Sequence, residues 1–154
     1  MGSYQNCALE SASAVDLVVA LYDGIIRFLY AAGEAAERGD EAGRRAAAKR
    51  ALDIIIHLQA RLRMDVGGRP AQALSEFYAT VFAQILQASQ SASRQKFEHA
   101  IACVRNVRDA WREVARDPGV NPAPLQVVAR AGSRDSGFDE DEYAHAGSGS
   151  SWNA

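Results

Sequence analysis

A chain of 154 residues and 16.6 kDa, with 48% apolar and 23% charged residues, has the size and balance of one globular domain or a smaller domain with a tail. These values exclude collagen-like, disulfide-scaffold and wholly disordered classes, and a net charge of −2 with a pI near 5.9 argues against a nucleic-acid binder. Cys7 and Cys103 are the two cysteines, as suits a reducing cytosol; the N-terminus lacks the basic start and apolar run of a signal peptide, and Asp23 and Arg27 interrupt the longest apolar stretch well short of the ~20 residues of a membrane span.

Four helical segments are predicted within residues 14–116. The first opens on Ser13 as N-cap, with Asp16 three residues on as in a capping box, and closes at Gly39. The second opens on Asp40 and runs to about Asp65, where Gly67-Gly68 breaks the chain. Pro70 suits the first turn of the third, which runs to about Ser89. The polar stretch Gln90-Ser91-Ala92-Ser93 supplies a turn and cap, and the fourth segment runs to about Arg116, ahead of Pro118. Each carries an apolar stripe at intervals of three and four. These are Val18, Leu21, Ile25, Phe28 and Ala32 in the first, and Ala48, Ala51, Ile55, Leu58 and Leu62 in the second. The third has Leu74, Tyr78, Val81, Ile85 and Ala88; the fourth has Phe97, Ile101, Val104, Val107, Trp111 and Val114. Sustained β alternation is absent. The expected fold is all-α, an antiparallel four-helix bundle joined by short loops.

Composition shifts near Asp117. Residues 1–116 carry a net +2 and residues 117–154 a net −4, and three of the four prolines lie in the latter. The division expected is an N-terminal segment over residues 1–13, the bundle over 14–116, and a flexible acidic tail over 117–154. Within the tail, Leu125, Val127 and Val128 make one short apolar patch, and Asp139-Glu140-Asp141-Glu142 an acidic cluster that reads as a solvated tail or a partner site.

The first segment has more apolar surface than one stripe requires. Val15, Val19, Tyr22, Ile26 and Leu29 form a second series, Ile54-Ile55-Ile56 puts large groups on more than one side of the second segment, and Phe77, Phe82 and Leu86 widen the third. Two readings stay open: a docking surface for a partner, or a helix buried on two sides. Catalytic readings are weaker. His99 and Cys103 share a helix face without a third orienting group, and Asp53 with His57 reads as a local polar pair. The Glu-x-x-His repeats of metal-binding bundles, the P-loop and the Rossmann glycines do not occur, so neither cofactor nor metal is expected. A histidine-phosphotransfer bundle lacks its His-x-x-Lys-Gly pattern here, and a self-closing homodimer is a third possibility.

The run Leu17-Val18-Val19-Ala20-Leu21-Tyr22-Asp23-Gly24-Ile25-Ile26-Arg27-Phe28-Leu29, with Tyr4-Gln5 before it, resembles the first helix and N-terminus of the FliS family of flagellar secretion chaperones. Asp53-Ile54-Ile55-Ile56, Gly67-Gly68 and Arg108-Asp109-Ala110-Trp111-Arg112-Glu113 resemble later parts of that family in the same order, over about residues 4–116. Ala14 departs from the family's proline after the cap, and the tail lies outside the resemblance. The resemblance implies a non-enzymatic protein in the cytosol of a flagellated bacterium. Such a protein binds the disordered C-terminal region of flagellin, prevents premature polymerisation and aids delivery to the type III export apparatus. Other flagellar export or regulatory proteins are further expected partners; nucleic acid and membrane insertion are not. The apolar surface beyond one stripe then supplies the expected flagellin contacts, Val15, Val19, Tyr22, Ile26, Leu29, Ile54, Ile56 and Phe82, with Asp23 holding a client amide or a neighbouring arginine. Tyr4, Gln5 and Leu9 are the expected groove cover. Ile26→Asp is expected to abolish client binding with helicity intact. Gly24 permits close approach of a backbone from either the bundle or the client.

Overall fold

The computed structural model describes residues 2–116, with side chains described from Ala14 onward. Four helices account for the fold: α1 Gly2–Glu37, α2 Glu41–Ala60, α3 Gly68–Gln90 and α4 Arg94–Arg116. Tight links make sequence neighbours antiparallel, so α1 and α3 each pack between α2 and α4, and the all-α bundle matches the sequence expectation.

Local chemistry sets the boundaries. Gly39, at φ +69°, closes α1: its amide bonds the Ala36 carbonyl and the Asp40 amide bonds that of Ala35, a left-handed C-terminal motif. Asp40 then caps α2 by accepting the Gly43 amide at 2.9 Å. Ser93 caps α4 in the same way through the Lys96 amide at 3.2 Å. Pro70 stands in the first turn of α3.

Two expected boundaries are corrected. The start expected at Ser13 is one: α1 passes through that residue without a break. Ala14 is a strong helix former where proline would have forced an extended residue before it, and no glycine or proline intervenes from Ser3 to Asp23. The side chains of Tyr4, Gln5 and Leu9 lie outside the described residues, as does the tail. Helix α2 ends at Ala60, short of Asp65. The Arg63 guanidinium forks onto the Asp65 carboxylate at 2.9 and 2.6 Å, a pairing two residues apart that a turn permits and a helix does not. Leu62 stays in the core although it has left the helix.

The buried seam of α1 falls between the two stripes read from sequence. Val15, Val18, Tyr22, Ile25, Leu29 and Ala32 are all at most 2% exposed, spaced three, four, three, four and three. Leu21 and Phe28, expected in the core, are half-buried on one flank, and Val19 is half-buried on the other. The helix is therefore buried on a wide face, the second of the two open readings. Across the centre of the bundle the Tyr22 and Tyr78 hydroxyls hydrogen-bond at 2.9 Å, joining α1 to α3. At Gly24 the space a Cβ would take ends 3.2 Å from Ile54 Cδ1, so the close approach is by α2 of the same bundle.

Candidate functional site

An apolar groove of about 490 Å3 opens between α2 and α3. One wall is Ile55, Ile56, Gln59 and Ala60; the other is Ser75, Tyr78, Ala79 and Phe82. The positions follow helical spacing, so each wall is one face of one helix. Ile56 is 54% exposed and Phe82 is half-buried. Ile56 is one of six large apolar side chains exposed among the described residues and the one of them that lines this groove, and a partner covering it recovers that surface.

Polar groups in the groove are few and already paired. Gln59 Nε2 donates to Ser75 Oγ at 2.7 Å, bridging the two helices. The Tyr78 hydroxyl is turned inward to Tyr22, leaving its ring as apolar wall. Burial pushes the Tyr78 phenol far above its ordinary range, with Tyr22 beside it adding to the shift, and burial raises Tyr22 too. Both stay neutral. The groove thus offers shape and apolar surface, which suits the nonpolar face of a helix.

The sequence-derived contacts divide into four sets. Ile56 and Phe82 face each other in this groove. Val15, Tyr22, Ile26 and Leu29 are in the core, at 2%, 0%, 6% and 0% exposure, so the expectation that they form an open docking stripe is corrected: α2, α3 and α4 already cover them. Val19 and Ile54 are half-buried against that core. Asp23 accepts from Arg108 at 2.9 Å and lies 3.4 Å from Arg112, so of its two expected roles it takes the neighbouring arginines of α4. Trp111 packs in the core at 4% exposure. Sequence reasoning missed Gln59, Ser75, Tyr78 and Ala79; the signal was the run Ser75, Tyr78, Ala79, Phe82 at intervals of three, one and three beside the Ile54-Ile55-Ile56 excess.

Asp53 pairs with Lys49 at 3.2 Å, and His57 and His99 are exposed. Cys103 is a free thiol, half-buried against the core. Among the described residues no group of three or more His, Cys, Asp or Glu is placed to hold a metal, and no helix is long and apolar enough to cross a membrane.

Known proteins resemble this chain in sequence. The family model described as "Flagellar protein FliS" matches residues 1–118. The flagellar secretion chaperone FliS of Salmonella typhimurium is 32% identical over 109 residues, 70% of this chain and 81% of its own. The protein of that name from Vibrio cholerae is 31% identical over 106 residues, covering 69% and 78%. The one from Escherichia coli is 28% identical over 119 residues, covering 77% and 88%. A family match over residues 1–118, which takes in all four helices, leaves one conclusion: the chain belongs to the FliS family of flagellar secretion chaperones.

Proposed function

We propose that this chain acts in the bacterial cytosol as an export chaperone for flagellin, holding the disordered C-terminal segment of its client against the α2–α3 groove. The client segment folds its apolar residues into the groove, which keeps it from polymerising and presents it to the type III export apparatus. The chain acts by burial, without catalysis. One observation carries the reading: Ile56, 54% exposed, stands opposite Phe82 across a groove whose polar groups are already paired. Ordering a disordered segment costs entropy that only a sizeable apolar interface offsets. Tyr4, Gln5 and Leu9 belong, in this reading, to a segment that shields apolar surface until the client arrives, and Ile54 supports the wall behind Ile56.

The test is calorimetry of the full chain with a synthetic flagellin C-terminal peptide. Ile56→Asp places a charge where the client's apolar face must lie, and a loss of at least about tenfold in affinity is expected, equal to ~1.4 kcal/mol. Far-UV circular dichroism should be unchanged, because Ile56 is exposed. Unchanged affinity in a folded variant would move the docking surface elsewhere.

A further inference from the structure

Helix α3 has a second apolar groove on its other flank, against α4. Pro70 and Leu74 face Val107, Ala110, Trp111 and Val114 across about 280 Å3, and no polar side chain lines it. Leu74, Val107 and Val114 are half-buried, and Ala110 is exposed.

The position of this groove points to its occupant. Val114 is two residues from Arg116, the last residue of α4, so the groove lies where the described helix hands over to residues 117–154. Pro118 opposes helix continuation and biases the residue before it, Asp117, away from the helical region. Eight residues, 117–124, then lead to Leu125-Gln126-Val127-Val128, the only stretch beyond Arg116 with three large aliphatic side chains in four positions. Eight extended residues span up to ~26 Å. The groove floor from Val107 to Val114 is seven helical steps, about 10 Å. The linker is therefore long enough to double back along the floor, and short enough to hold the aliphatic cluster at high local concentration.

We propose that Leu125, Val127 and Val128 seat in the α3–α4 groove of their own chain. The segment covers this apolar face from within and leaves the α2–α3 groove to a partner. The inference does not depend on what that partner is.

Amide hydrogen exchange on the full chain, with no peptide added, tests it. The full chain is compared with a variant carrying Leu125→Ser, Val127→Ser and Val128→Ser, none of which lies in the bundle. The expected result is exchange at least about fivefold faster at residues 107–116 and 71–74, with unchanged rates in α2 and unchanged far-UV circular dichroism. Residues 125–128 themselves should be protected in the parent chain. Identical exchange in parent and variant would overturn the proposal. So would protection that grows with protein concentration, since that assigns the groove to a second copy. As a check from the other wall, Ala110→Asp, at an exposed position, should release the protection of residues 125–128; retained protection would also overturn it.

Discussion

Ala92 sits at φ +47° between α3 and α4. The Ser93 amide reaches back to the Ala88 carbonyl and the Ala92 amide to that of Ser89, so this turn uses the motif that Gly39 provides after α1, but with a Cβ in the left-handed region. That conformation costs an L-residue roughly 1–2 kcal/mol. Ala92→Gly should raise stability by about 0.5–1 kcal/mol, after the loss to extra chain entropy in the unfolded state, as a higher urea midpoint at constant slope. The Tyr22–Tyr78 pair supplies a second residue-scale test. Burial raises both phenols in the folded chain, whereas in the unfolded chain they titrate near 10. Their contribution is fully present below that value and is lost as pH rises above it, because the unfolded state then releases protons that the folded state holds. Stability should fall above about pH 10, by up to ~1.4 kcal/mol per pH unit for each phenol. Tyr22→Phe should flatten that slope, which urea titrations at pH 8 and 11 would measure.

Between elements, the two glycines inside α1 differ in what they face. A Cβ at Gly33 would meet Arg94 Cγ at 3.5 Å and Phe97 Cβ at 3.6 Å, ordinary contact with α4. Gly33→Ala should gain most of the ~1 kcal/mol that separates glycine from alanine in a helix. At Gly24 the distance to Ile54 Cδ1 is 3.2 Å, so the same substitution must first displace a side chain that fixes the spacing of α1 and α2. Gly24→Ala should gain measurably less than Gly33→Ala in parallel denaturation series. Element ends were readable where a side chain or a left-handed glycine specified them, as at Gly39, Asp40 and Ser93. They were misread where the outcome rested on weaker terms. Ser13 looks like a cap, yet a cap forms only if the preceding residues leave the helix, and nothing before Ser13 forces them out. The end of α2 depends on a turn closed by Arg63 and Asp65, and that turn must also return Leu62 to the core.

For the molecule as a whole, the decisive quantity is which apolar surface the bundle consumes. Ile26→Asp, expected from sequence to spare the fold, instead buries a carboxylate at a site 6% exposed. It should cost several kcal/mol and reduce helicity at 25 °C, a loss that circular dichroism would reveal before any binding is measured. Ile56→Asp should leave the fold standing, so the pair separates core from docking surface in one experiment.

The sequence by itself determined the four helices, their antiparallel order and the family, because periodicity, caps and breakers act over a few residues and are written locally. It also revealed that α1 has apolar surface beyond one stripe. Only the tertiary structure decided where that surface goes. Val15 to Ala32 form one seam between the stripes, and a rotation of α1 about its axis by part of a turn exchanges seam for flank without altering the sequence pattern. The rotation is set by what α2, α3 and α4 present, including the Tyr22–Tyr78 bond and the Asp23–Arg108 pair, each joining residues more than fifty positions apart. The groove between α2 and α3 arises for the same reason: it is the space left after α1 has taken the best packing that its neighbours offer.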